Sequence, residues 1–134
     1  MSSEAELFHG YNAPVSKLAA KVVAVVDGEA TLHDVCRKLA SVEVGALPVV
    51  TDGEVIGIVT ERDIVNAIAQ GAYLDKTTAA DVATKQVKWI TGDTTCGGAV
   101  RAMLDARTRH LAVGGPDTPS LLSARDLLRA LADG

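Results

Sequence analysis

The sequence is poor in aromatic residues, with one Trp, two Tyr and one Phe in 134 residues. Its hydrophobic content is still 48%, so a core must be built from Val, Leu, Ile and Ala. Cysteine is scarce as well. Cys36 and Cys96 lie far apart and in no C-x-x-C spacing. The N-terminal MSSEAELFHG has no basic region followed by an apolar one, so two reduced thiols are expected. His9, His33 and His110 are scattered and form no ligand-like spacing with a cysteine or carboxylate pair, which leaves a metal site unsupported. Apolar runs are short, and none approaches membrane-spanning length. Positive charge is outnumbered, with 13 Lys and Arg against 17 Asp and Glu and a net charge of -4. That balance argues against a broad nucleic-acid footprint. No nucleophile with a paired base and no phosphate-cradling loop is present. These absences describe a soluble, cytoplasmic protein that is not an enzyme, requires no cofactor or metal, and binds neither nucleic acid nor membrane.

What is present is a pattern that peaks between Gly45 and Ile68. Ala46–Val50 is a short apolar run. Asp52-Gly53 follows, a strong hairpin signal because Gly tolerates positive φ. Val55–Val59 is a second apolar run, and Ile64, Val65, Ala67 and Ile68 then fall at helical spacing. The unit reads strand, tight turn, strand, helix. Before it, residues 1–12 carry little periodicity and read as a loose tail. Pro14 precedes a helical turn, Lys21–Val26 reads as a strand, and Thr31 caps a helix with Leu32, Val35, Cys36 and Leu39 on one face. Residues 72–77 read as a linker.

After that linker the order of signals recurs. At an offset of 64 positions, Lys21 meets Lys85, Val23 meets Val87, Gly28 meets Gly92, Thr31 meets Thr95 and Leu47 meets Leu111. With one residue fewer in the second hairpin loop, Thr60 meets Ser123 and Asp63 meets Asp126. Gln86–Ile90 reads as a strand. The helix after Thr95 is expected to turn Ala99, Val100, Met103 and Leu104 inward. Two copies of one unit span 13–71 and 77–133. A single copy of about 60 residues buries too little surface to be comfortable alone.

These residues resemble a tandem pair of CBS domains, together called a Bateman module. The first signature is Gly45-Ala46-Leu47-Pro48-Val49-Val50 followed by Gly57-Ile58-Val59-Thr60-Glu61-Arg62-Asp63-Ile64. The second copy matches through Arg109-His110-Leu111-Ala112-Val113 and Leu122-Ser123-Ala124-Arg125-Asp126. It departs at Ala112, where the proline is expected, and at Ser120, where the glycine is expected. The resemblance covers nearly the whole chain and implies a stand-alone module. The implied fold is α/β (α+β), with two βαββα repeats packed through their sheets as a pseudo-two-fold pair. The implied function is regulatory, with AMP, ADP or ATP held in a cleft between the copies. The implied assembly is a homodimer that signals to a regulated partner protein.

The motif suits that ligand. A carboxylate accepts from both ribose hydroxyls, and charge assistance strengthens those bonds. Thr60 and Asp63 in the first copy, and Ser123 and Asp126 in the second, are the expected ribose groups. Gly45 and Ala46 leave room for a purine, and Pro48, Val23 and Val87 complete the expected set. Lys21 and Arg62 are candidates for phosphate, with a solvated strand-end charge as the alternative reading of Lys21 and a surface ion pair as that of Arg62. Arg109 and His110 replace Gly45 and Ala46, so they either carry a cation to phosphate or fill the second cleft. Thr60-x-x-Asp63 and Ser123-x-x-Asp126 also read as helix caps, although Asp is a shorter partner than the usual Glu or Gln. A ligand-free interaction protein of the same fold is therefore the alternative function.

Overall fold

The computed structural model describes residues 11–18, 20, 21, 24–114 and 120–133. In chain order it contains a 3-10 turn at Val15–Lys17, β1 (Ala20–Lys21), β2 (Val26–Asp27), α1 (Leu32–Val42), β3 (Ala46–Thr51), β4 (Glu54–Thr60) and α2 (Glu61–Ala69). Then come α3 (Ala79–Val82), β5 (Trp89–Ile90), α4 (Cys96–Ala106), β6 (His110–Val113), β7 (Ser120–Ser123) and α5 (Ala124–Asp133). The fold is α+β, with a three-stranded and a four-stranded sheet. Two compact units result. One holds residues 22–87, and the other holds the residues up to 21 and those from 88 on.

In the 22–87 unit the strand order is β2-β3-β4. β3 and β4 are antiparallel, joined by a turn in which Asp52 (φ 53) and Gly53 (φ 80) are both left-handed. That is the backbone a two-residue hairpin needs to match strand twist. β2 and β3 are parallel, so they need a crossover, and α1 supplies it. Thr31 caps α1, accepting from the Asp34 N–H, while the Asp34 carboxylate accepts from the Thr31 N–H. Leu32, Val35 and Leu39 of α1 are buried, at the i, i+3, i+7 spacing of one helical face. Val35 and Leu39 join Leu47, Val49, Val59 and Ile64 in the core.

Residues 72–84 are built into this same unit. The Leu74 and Thr77 carbonyls accept from the N–H groups of His33 (3.0 Å) and Leu32 (2.9 Å). They satisfy two donors that the first turn of α1 leaves without intrahelical partners. Ala79, fully buried, donates its N–H to the Ala30 carbonyl at 2.8 Å. Thr84 and Ile58 exchange backbone hydrogen bonds of 2.9 and 3.0 Å.

The second unit has strand order β1-β7-β6-β5. β5 and β6 are parallel with α4 as crossover, β6 and β7 are antiparallel, and β1 adds antiparallel to β7. Its core contains Val15, Cys96, Ala99, Met103, Leu111, Val113, Leu122 and Leu127. The 3-10 turn is held by Val15 N–H to Thr94 carbonyl (2.8 Å) and Ser16 N–H to Gly92 carbonyl (2.9 Å). The bridge between Pro14 and Thr95 here matches the bridge between Thr78 and Thr31 in the other unit, each partner 64 positions apart. The leading segment of each sequence repeat thus packs with the body of the other repeat. The sequence repeats and the packed units divide the chain differently.

Three element readings change with this arrangement. The expected strand over Lys21–Val26 is two strands, β1 in one sheet and β2 in the other, because the chain leaves one unit for the other there. The expected strand Gln86–Ile90 shortens to Trp89–Ile90 at the equivalent passage. Leu104 is 72% exposed rather than inward, since the buried face of α4 runs through Cys96, Ala99 and Met103. Successive helical residues point about 100° apart, which carries Leu104 off that face.

Candidate functional site

The first hinge lies where β4 becomes α2. Thr60 has extended backbone (φ -113, ψ 163) and caps the helix. Its hydroxyl oxygen accepts from the Asp63 N–H at 3.1 Å, and Asp63 Oδ2 accepts from the Thr60 N–H at 2.9 Å. The Glu61 N–H donates to the Gly45 carbonyl at 3.0 Å, which ties the hinge to the start of β3. Thr60 stands directly opposite Ala46, and Ile58 opposite Pro48. Residues opposite one another, and residues two apart on a strand, share a sheet face. Ala46, Pro48, Ile58 and Thr60 therefore line the face opposite the one that Leu47, Val49 and Val59 present to the core. Ala46, Pro48 and Ile58 are buried, and Thr60, Asp63 and Gly45 are half-buried.

Asp63 has a partner that nothing in the sequence pattern signals. The Thr84 hydroxyl lies 3.5 Å from Asp63 Oδ1 as a donor. Thr84 reaches it through its pairing with Ile58, a contact 26 residues distant in sequence and visible only in three dimensions.

The second hinge, from β7 to α5, has the same frame. Ser123 accepts from the Asp126 N–H at 3.0 Å, and Asp126 Oδ2 accepts from the Ser123 N–H at 3.1 Å. The Ala124 N–H donates to the Arg109 carbonyl at 2.8 Å. His110 stands opposite Ser123, in the position Ala46 holds opposite Thr60. Arg109 is exposed and His110 half-buried.

The structure thus gathers Gly45, Ala46, Thr60 and Asp63 at one end of β3 and β4, with Pro48 one pleat further along the same face. It gathers Arg109, His110, Ser123 and Asp126 in the equivalent place of the other unit. Arg62 is exposed on the first turn of α2, and Val87 is half-buried outside any strand. The backbone of Lys21 is in β1 of the second unit, and Val23 lies outside the described residues.

Aspartate proves a competent box-closing residue here, against the expectation from its short reach. Thr31 with Asp34, Thr60 with Asp63, Thr78 with Asp81, and Ser123 with Asp126 all form the reciprocal pair. The motif alone therefore does not mark a ligand site. The two hinge pairs differ from the other two in being partly buried at a strand end. The bond from the Thr78 backbone N–H holds the Asp81 carboxyl below its usual range, and burial pushes the Cys96 thiol up. Both thiols are free. An open groove of about 400 Å³ between β2 and α1 is lined by Val25, Val26, Asp34, Arg37 and Lys38 among others, and none of its lining residues belongs to a hinge. Among the described residues no group of His, Cys, Asp or Glu is placed to hold a metal, and no helix is long and apolar enough to cross a membrane.

The model of the CBS domain family matches residues 15–70 and again 79–133. An uncharacterized 17.7 kDa protein of Acidianus ambivalens is 35% identical over 122 residues, covering 89% of this chain and 73% of that protein. A CBS-domain containing protein from Agrobacterium tumefaciens superposes with a TM-score of 0.79 at 30% identity, over 87% of this chain and 97% of its own. CBSX2, solved in complex with AMP, shares the fold with a TM-score of 0.71 at 20% identity, over 90% of this chain and 97% of its own.

Proposed function

The chain belongs to the CBS domain family, of which it carries two copies, and from that premise we propose that it is a regulatory module binding an adenosine nucleotide at the Thr60/Asp63 hinge. AMP, ADP and ATP are the ligands in view, and the bound state signals to a partner protein. The observation that carries this reading is the half-buried carboxylate at the end of β4. One of its oxygens is engaged by the helix cap, and the other keeps acceptor capacity beyond the long Thr84 contact. A carboxylate oxygen has two lone pairs, so Oδ1 accepts a sugar hydroxyl as well. The Thr60 hydroxyl spends an acceptor site on the cap and retains its proton to donate. The N-terminus of α2 favours an anionic phosphate nearby. CBSX2, which shares the fold, is solved in complex with AMP, and that supports the reading. In this reading Gly45, Ala46 and Pro48 flank the base. Arg62 stands on the first turn of α2 beside this hinge, and Lys21, Val23 and Val87 are further proposed ligand contacts. Arg109, His110, Ser123 and Asp126 form a second, altered site.

A thermal-shift panel with AMP, ADP and ATP tests the reading. At about 100 times Kd, binding adds about 2.7 kcal/mol of stability. Asp63→Asn keeps an oxygen to accept from the Thr60 N–H but loses the charge, so at the same nucleotide concentration it cuts the added stability to about 1.4 kcal/mol or less while preserving the fold. No shift with any of the three nucleotides sinks the reading.

The second reading is a ligand-free interaction protein, and one observation favours it. Val65 (64% exposed) and Ile68 on α2, and Leu104 (72%) and Leu128 (68%) on α4 and α5, present apolar side chains to solvent. Homodimerisation through such helix faces covers them, and sedimentation of the Leu104→Glu, Leu128→Glu variant tests it.

A further inference from the structure

We infer that Thr84 is a positioning residue for the Asp63 carboxylate, and that through it the segment 78–87 registers occupancy of the first hinge. The inference rests on the nucleotide reading above and adds the element that reads the site out.

The carboxylate is held at both oxygens by different stretches of chain. Thr60 holds Oδ2 from the strand end, and the Thr84 hydroxyl approaches Oδ1 at 3.5 Å from the segment after α3. Thr84 is itself fixed. Its N–H donates to the Ile58 carbonyl at 2.9 Å, and its carbonyl accepts from the Ile58 N–H at 3.0 Å. Gly57 permits that approach, since a Cβ there would lie 2.7 Å from the Thr84 carbonyl oxygen and 3.2 Å from the Ala83 Cβ. Residue 57 must lack a side chain for Thr84 to reach Asp63.

The segment is anchored on both sides. Upstream, the Leu74 and Thr77 carbonyls cap α1. Downstream, the chain continues to Lys88, whose carbonyl accepts from the Ala112 N–H of β6 at 3.0 Å. A hydroxyl on Asp63 thus sits a few residues before the chain enters the other sheet. A sugar hydroxyl donating to Oδ1 shares that oxygen with Thr84, completes the acceptor capacity of the carboxylate, and ties the segment down. At the second hinge the position matching Thr84 is Ala20, which has no hydroxyl to offer.

The test uses the full chain, AMP as probe, calorimetric titration, and hydrogen exchange of peptides spanning 55–60 and 80–87. In the wild type, AMP slows exchange in both peptides. Thr84→Val keeps the shape and loses the hydroxyl. It binds AMP about three- to tenfold more weakly and loses the slowing, whereas Thr84→Ser restores both. A Thr84→Val protein with wild-type affinity and undiminished slowing overturns the inference and leaves the nucleotide site standing. So does one that exchanges faster by the same factor with and without AMP, which is the signature of simple destabilisation. A wild-type chain that binds none of AMP, ADP and ATP overturns the nucleotide reading, and this inference with it.

Discussion

Thr60 faces Ala46 across β3 and β4, whereas Ser123 faces His110 across β6 and β7. Behind the first carboxylate stands the Thr84 hydroxyl, and at the matching position of the second stands Ala20. Pro48 in the first unit corresponds to Ala112 in the second, and Gly57 to Ser120. The cap geometry is nevertheless the same in both hinges. The frame of the hinge is thus set by local backbone requirements and persists when its surroundings change. What differs is the residue opposite each hydroxyl and the partner offered to each carboxylate. A methyl stands opposite the hydroxyl residue in the first hinge and an imidazole in the second.

The largest expected effect breaks the partition between repeat and unit. A chain ending at residue 71 keeps the first sequence repeat but lacks the carbonyls that cap α1, buried Ala79, and the Thr84 pairing with Ile58. It is expected to lose cooperative unfolding in a thermal melt monitored by circular dichroism, whereas the full chain retains it. Next come the two matched core leucines. Leu47 and Leu111 are at most 1% exposed, so each change to Ala is expected to cost about 2–5 kcal/mol in urea denaturation. A difference in cost between them measures how unequally the two units collapse around a cavity.

Smaller, and more diagnostic of the asymmetry, is the pair Gly57→Ala and Ser120→Ala. The first brings a Cβ to 2.7 Å from a backbone carbonyl oxygen, which cannot swing away. It is expected to cost about 1–3 kcal/mol, against about 0.5 kcal/mol or less for the second. Equal costs in the same denaturation series would remove the close approach of Thr84 as a distinction between the hinges. At the ligand level, Asp63→Asn is expected to weaken AMP at least about tenfold, the usual scale for a lost charge-assisted bond. Asp126→Asn is expected to change it less than about twofold, and calorimetry reads both.

The smallest effect is a pH dependence. The Asp81 carboxyl is held below its ordinary value in the fold. A depressed folded value means the contribution is present above the unfolded carboxyl's pKa and is lost as pH falls through the folded one. Asp81→Asn therefore removes a contribution present above about pH 4, and the difference in Tm between wild type and variant shrinks as the pH drops below about 4. Cys96 runs the other way. Its raised thiol pKa leaves the fold unaffected below the unfolded thiol's value and costs stability only as the medium becomes alkaline.

Much of this was legible from the residues. Asp52-Gly53 specified the hairpin because few residues tolerate positive φ at both central positions. Thr31, Thr60 and Thr95 marked helix starts because each hydroxyl meets a backbone donor three residues on. Thr60 and Asp63 are three residues apart, within one helical turn, and the cap brings them together as the spacing predicts. Leu104 misled because a helical pattern with several apolar residues does not say which stripe faces the core. Thr84 was not legible, because its partner Asp63 is reached only through pairing across a tight approach at Gly57.

The sequence by itself determined the units of construction: strand, turn, strand and helix, repeated, with a hydroxyl and a carboxylate at each strand-to-helix hinge. Periodicity, turn residues and caps act over a few residues, so they can be read along the chain. Only the tertiary structure decided which pieces complete which unit. It placed Val15 in the core with Leu111, Ala79 in the core with Leu47, and the Thr84 hydroxyl beside Asp63. Those choices follow from which apolar faces and backbone donors lack partners once the local elements form. That is a property of the folded surface rather than of any short stretch of residues.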